Sequence, residues 1–136
     1  MLTLVDGNMD QSWHLFSQAL LSDYYDIQGG TTAEGIHLGV MAATLMLETR
    51  NYAGVDELTD MINIAPNLPA HWRSIAFRQY FRGTQYHFQI TQKAITVTAD
   101  QAAKVRVAGH ELLLTAKQPL TVDYQGQPLT TISKAK

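Results

Sequence analysis

The chain contains no cysteine, which excludes a disulfide framework and a thiolate metal site alike. That absence fits a reducing compartment, and a cytoplasmic location is the expectation. Charge is scarce too: Asp, Glu, Lys and Arg make up 16% of 136 residues, and the formal net charge is -2. With lysines and arginines scattered rather than clustered, the chain offers no field for nucleic acid or an acidic membrane. No uninterrupted apolar run approaches the ~18 residues that suggest a membrane span. The stretch Met1–Asp10 lacks the basic start and apolar run of a signal peptide. A soluble protein is therefore expected, with neither nucleic acid nor membrane as a partner. Repeats and low-complexity segments are also missing. What is plentiful is apolar sequence, 46%, the proportion of a globular chain. The length suits one ordinary domain, or a small domain with an appended helical piece.

The two halves read differently. From about Met9 to Met61 apolar residues recur at helical spacing: Trp13, Phe16, Leu20, Leu21 and Tyr24 fall on one helix face. A second helix is expected to begin at Thr31, where Glu34 completes a capping-box pattern. It then runs through Ile36, Val40, Met41 and Leu45. A third, shorter helix is expected from about Val55 to Ile62. Ala65-Pro66-Asn67-Leu68-Pro69 then breaks the pattern, since each proline removes a donor and pushes its predecessor out of the helical region. Beyond it the period becomes two. Ile75, Phe77 and Phe81 alternate with smaller or polar residues up to a turn at Arg82-Gly83-Thr84, and Tyr86, Phe88 and Ile90 follow as the return of a hairpin. Further strands are expected at Ala94–Thr98, Lys104–Val107, Glu111–Ala116 and Leu120–Tyr124, with turns at Gly109 and Gly126. The layout is α+β, helices first and then an antiparallel β-sandwich or jelly roll. The β part can hold its own core, whereas two or three helices alone bury little apolar area.

The run Asp26–Gly39 carries most of the chemistry. It is a glycine-containing loop leading into a helix start, where first-turn N–H groups lack intrahelical partners and the dipole adds partial positive charge. Such a place suits an anion. Gly29 and Gly30 permit close backbone approach, Thr31 and Thr32 supply hydroxyls, and an imidazole at His37 would lean back over Ala33 toward the same anion. A plainer reading stands beside this one. Gly-Gly before Thr-x-x-Glu is also a tight turn with a good cap, His37 a satisfied core or surface histidine, and Glu34 first a capping residue. Gly35 and Gly39, with Ala42 and Ala43, suit close packing of another helix.

The run Gln28-Gly-Gly-Thr-Thr-Ala-Glu-Gly-Ile-His-Leu-Gly-Val-Met-Ala42 closely resembles a motif of glycoside hydrolase family 65. The resemblance extends upstream over Trp13–Asp26. Downstream it covers Asn63–Pro69, Ile75–Arg78 and Tyr80–Gly83, and it fades after about Thr98. Members include maltose, trehalose, kojibiose and nigerose phosphorylases and some hydrolases, with a long (α/α)6 barrel followed by a small C-terminal β-sandwich. The resemblance thus implies that residues 1–66 are the terminal helices of a truncated barrel and residues 67–136 the C-terminal sandwich. It implies inverting phosphorolysis of an α-linked disaccharide to β-glucose 1-phosphate, with inorganic phosphate as co-substrate and no cofactor or metal. The general acid of the family lies upstream of the motif, so no catalytic residue is expected here. The histidine matching His37 belongs to the phosphate site; Thr31, Thr32 and Gly30 border it. Glu34 is the candidate base if the parent is a hydrolase.

Full members are several times longer, so the chain alone is expected to be inactive and to associate, either with itself, as a dimer or larger species, or with the missing barrel. Two other readings stay open: a separately encoded subunit that completes an enzyme in trans, and a carbohydrate-binding module. The module would require an exposed aromatic row drawn from Trp72, Tyr80, Tyr86 and Tyr124, although Trp72 and Tyr80 are also suited to packing at a domain junction.

Overall fold

The computed structural model describes residues 6–26, 29–30, 33 and 35–129. The chain divides into two compact units, Met1–Tyr52 and Ala53–Lys136.

In the first unit, helix α1 (Met9–Leu20) begins where the Asn8 side chain accepts the Gln11 N–H at 3.1 Å, and Asp10 sits in its first turn. Both features suit a helix N-terminus. Helix α2 (Leu38–Met46) runs directly into a π-helical turn, Leu47–Tyr52. The small core gathers around Tyr52, which is buried and meets Phe16 edge-on at 5.4 Å. Its hydroxyl hydrogen-bonds with Ser12 Oγ at 3.2 Å, so the buried polar tip is satisfied. Of the apolar face expected on α1, Phe16 is buried while Leu20, Leu21 and Tyr24 are exposed. Helix α2, LGVMAATLM, contains no charged residue, yet Leu38 is 76% and Leu45 62% exposed. A helix apolar all round ordinarily belongs in an interior.

Among the described residues the second unit holds eight strands: β1 (Val55–Asp56), β2 (Ile62–Ile64), β3 (Ser74–Phe81), β4 (Thr84–Thr91), β5 (Ile95–Ala99), β6 (Ala103–Val107), β7 (His110–Leu114) and β8 (Leu120–Val122). They form two four-stranded sheets, ordered β1-β2-β6-β7 and β3-β4-β5-β8. All pairs are antiparallel except β2 with β6. Alternation sorts the side chains: Tyr86, Phe88 and Ile90 of β4 point inward with Ile95 and Val97 of β5, while Gln85, His87 and Gln89 face out. Across the sandwich, Val55, Ile62, Ile64, Val105 and Val107 supply the other inner face. The hairpins β3–β4 and β6–β7 turn at Arg82-Gly83 and Ala108-Gly109, both residues of each pair having positive φ. That backbone is the tight two-residue turn matching strand twist.

The β-sandwich is as expected, and six of its strands lie where the period of two placed them. Two expectations are corrected. Val55 to Ile62 is not a helix; its ends are strands β1 and β2. Gly54 turns the chain with φ +66, and its carbonyl accepts the Ala65 N–H at 2.9 Å. The Asp56 side chain then accepts the Leu58 N–H, and the Thr59 hydroxyl donates to the Met61 carbonyl; such local bonds compete with a helix. The second helix starts at Leu38 rather than Thr31, with His37 as its cap residue. The two compact units divide after Tyr52, and β1 and β2 pair into the sheet of β6 and β7.

Candidate functional site

His37 stands at the N-terminus of α2, its carbonyl accepting from Val40 and Met41 at 2.9 and 3.2 Å. It is not one turn inside a helix, as the expected start at Thr31 would have made it. It faces the solvent side of the first unit, its side chain 42% exposed. Both its donors converge on one carboxylate from the turn after α1. The His37 main-chain N–H reaches Asp23 Oδ2 at 2.7 Å, and its Nδ1 lies 2.6 Å from Asp23 Oδ1. The bond from the ring, followed by the bond from the amide, holds the Asp23 carboxyl below the usual carboxylate range despite partial desolvation. Asp23 is therefore ionised at neutral pH and can only accept. Nδ1 must then carry the shared proton, which leaves Nε2 as the ring nitrogen open to a substrate.

The glycine loop is shaped in a related way. Asp26, itself at φ +48, accepts the Gly29 N–H on its carbonyl at 2.9 Å and the Gly30 N–H on Oδ2 at 2.7 Å. Gly30 has φ +98, a conformation that favours glycine. Its amide is thus engaged within the loop. Thr31, Thr32 and Glu34 lie outside the described residues. Sequence reading did not single out Asp23 or Asp26 as site residues; the Asp23–His37 pairing spans fourteen positions and follows no local period.

Among the described residues no three His, Asp or Glu side chains are grouped to hold a metal ion. No described helix is long and apolar enough to cross a membrane. The four aromatics that might have formed a sugar platform do not form an exposed row. Tyr86 is buried, Tyr124 is half-buried with its hydroxyl donating to the Thr91 carbonyl, Trp72 is half-buried, and Tyr80 is 71% exposed.

This architecture, helices ahead of an antiparallel sandwich, recurs within a much larger protein. A solved structure described as a putative kojibiose phosphorylase from human microbiome matches 81% of this chain with a TM-score of 0.71. The match is 21% identical and takes up 14% of that chain, so it establishes shared fold. Residues 56–114 match the family described as "Glycosyl hydrolase family 65, C-terminal domain". The chain belongs to glycosyl hydrolase family 65 and carries its C-terminal domain. It is 40% identical over 110 residues to trehalose 6-phosphate phosphorylase of Lactococcus lactis, covering 81% of this chain and 14% of that protein. It is 33% identical over 111 residues to an uncharacterized glycosyl hydrolase of Mycobacterium tuberculosis, covering 79% of this chain and 8% of that protein. The chain therefore spans a small part of the relatives it matches.

Proposed function

We propose that the chain is the C-terminal piece of an inverting α-glucoside phosphorylase, and that the segment from Gly29 to His37 is one wall of its phosphate site. One observation carries this reading. The opening of α2 already grips an oxyanion, with the His37 amide and ring on a single carboxylate at 2.7 and 2.6 Å. In this arrangement Asp23 fixes the ring through Nδ1, as a carboxylate commonly orients a working histidine, and Nε2, which carries the lone pair in that tautomer, can accept from the P–OH of hydrogen phosphate. Thr31 and Thr32 would add hydroxyl donors, while Gly30 keeps the backbone clear of the ligand. The name of the Lactococcus relative supports a phosphorylase.

The chemistry asks two things of the whole enzyme. A protonated carboxyl donates to the glycosidic oxygen, and the nucleophile is held on the opposite face of the sugar. Phosphate is already an anionic nucleophile, so it needs a cradle rather than a base. Residues 29–37 would supply part of that cradle; the general acid belongs to a barrel encoded outside this chain. Alone, the chain would be catalytically silent and would hold phosphate weakly, since an open helix end competes with water and screening salt.

The surface of α2 supports such a barrel, joined to this chain or supplied as a separate subunit. Leu38, Leu45 and Met46 are exposed, and nothing lies within 4 Å of a Cβ built on Gly39. A stripe of Gly39, Ala42 and Ala43 next to exposed leucines suits a neighbouring helix. The test is release of glucose 1-phosphate from maltose, trehalose, trehalose 6-phosphate, kojibiose and nigerose in phosphate. The chain alone should give none, and the chain mixed with the upstream barrel portion of a family 65 phosphorylase should give activity. Turnover by the chain alone would overturn the reading.

A further inference from the structure

The outward face of sheet β3-β4-β5-β8 carries a second constellation. Strand register sets Arg78 of β3 opposite His87 of β4, and His87 opposite Thr98 of β5. These three form one cross-strand row on the solvent side. At its end, Asp100 is held by a reciprocal pair of bonds with Gln85: the Asp100 N–H donates to the Gln85 carbonyl at 3.1 Å, and Asp100 Oδ1 accepts the Gln85 N–H at 3.0 Å. Lys117, from the turn between β7 and β8, is brought to the same place by its own N–H, which donates to the Ala99 carbonyl at 2.7 Å. It sits there with φ +60, a backbone conformation that costs a lysine energy and that surrounding structure must impose. Together these residues line an open cavity of about 300 Å³, at the lower end of the range for small-molecule sites, about 300–1,000 Å³.

The basic groups in it outnumber the one carboxylate, Asp100, that lines the same cavity. Among the described residues, the side chains of Arg78, His87 and Lys117 make no hydrogen bond or ion pair, whereas Arg106 elsewhere on the sandwich is paired with Glu111 at 2.8 Å. A single unpaired surface cation is ordinary. Three groups able to carry positive charge, drawn from three separate elements into one cavity, suit an anion, and a guanidinium beside an ammonium suits a phosphoryl group. Inorganic phosphate alone would leave much of the cavity unfilled and give Gln85, Thr98 and Asp100 nothing to bind. The Asp100 carboxylate accepts from hydroxyls and repels a second anionic group.

We propose that this cavity is a binding site for a small phosphorylated polyol such as a sugar monophosphate, with Arg78, His87 and Lys117 on the phosphoryl oxygens and Gln85, Thr98 and Asp100 on the hydroxyls. It does not rest on the phosphorylase reading, because the two sites lie in different units of the chain.

The test is a titration of the ¹⁵N-labelled chain followed by two-dimensional NMR, with glucose 6-phosphate, inorganic phosphate and glucose as separate probes at constant ionic strength. Glucose 6-phosphate should produce saturable shifts at the amides of Arg78, His87, Thr98, Asp100 and Lys117, inorganic phosphate weaker ones at the same amides, and glucose none. Arg78→Gln and Lys117→Gln, both at exposed positions, should each weaken binding by about tenfold while the rest of the spectrum is unchanged, as expected for loss of a charge-assisted bond. Raising salt should weaken binding to the unaltered chain as well, a readout that needs no variant. No saturable shift, equal binding of glucose and its phosphate, equal binding of inorganic phosphate and sugar phosphate, or shifts confined to His37 and Gly30 would each overturn the proposal.

Discussion

Gly54→Ala should destabilise the second unit strongly. A Cβ added at Gly54 would lie 1.9 Å from the Ala65 carbonyl oxygen, 2.3 Å from its carbon and 2.9 Å from the Pro66 nitrogen. These are backbone atoms, so no side-chain rotation relieves the clash. Gly54 also has φ +66, where an L-residue with a Cβ costs about 1–2 kcal/mol. Forcing atoms into a closed space costs a further ~1–3 kcal/mol. The sum, about 2–5 kcal/mol, is a large share of the ~5–15 kcal/mol that holds an ordinary domain together. The damage should centre on β1 and β2, since the clashing carbonyl belongs to the residue whose N–H bonds Gly54 and continues the Val55–Ile64 pairing. Amide exchange at Ile62–Ala65 should accelerate first, and the urea midpoint of the unit should fall. The helix that the spacing of Val55 and Ile62 suggests would leave Gly54 at its N-terminal boundary, where Ala for Gly costs about 1 kcal/mol at most. An unchanged or raised midpoint would refute the strand reading of this segment.

Three further outcomes follow from the same physical arguments. Asp23 has a folded pKa below its ordinary value of 3.8, so its pairing with His37 should be intact above that value and lost as pH falls through the lowered one; a ¹³C titration of the carboxyl, with the His37 amide shift tracking it, checks this, and titration at or above the ordinary value would contradict it. Phe88 is fully buried, with Phe77 stacked at 5.1 Å and Tyr86 at 6.1 Å, so Phe88→Ala should cost about 3–5 kcal/mol in chemical unfolding, and a loss below about 1 kcal/mol would be that of an ordinary surface change. The exposed leucines of α2 should drive self-association seen as a dimer or larger species by light scattering, and Leu38→Lys with Leu45→Lys should shift it toward monomer; a clean monomer from the unaltered chain would show that this face is not adhesive.

The sandwich was legible because a half-buried strand writes its two faces in alternation. Tyr86, Phe88 and Ile90 against Gln85, His87 and Gln89 leave no other period, and Arg82-Gly83 marks the turn. Strands β1 and β2 escaped because each is too short to show alternation, and Val55 and Ile62 happen to be two helical turns apart. Their state is fixed by Gly54 closing on Ala65, and by the parallel pairing of Ile62–Ile64 with Val105–Val107, which local sequence does not reveal. At the site, the motif pointed to His37 and to the glycine loop. It could not show that the helix waits until Leu38, nor that Asp23 would supply the carboxylate. That partner comes from the turn after α1, and only the packing of the first unit brings it to His37.

The central claim is that the opening of α2 meets phosphate. Its most direct test is the kinetics of the reconstituted enzyme, comparing His37→Gln with the unaltered chain. KM for phosphate should rise by about tenfold or more, the loss of one bond to an ionic group, while KM for the disaccharide stays where it was. An unchanged phosphate KM, or a change confined to the disaccharide, would contradict it.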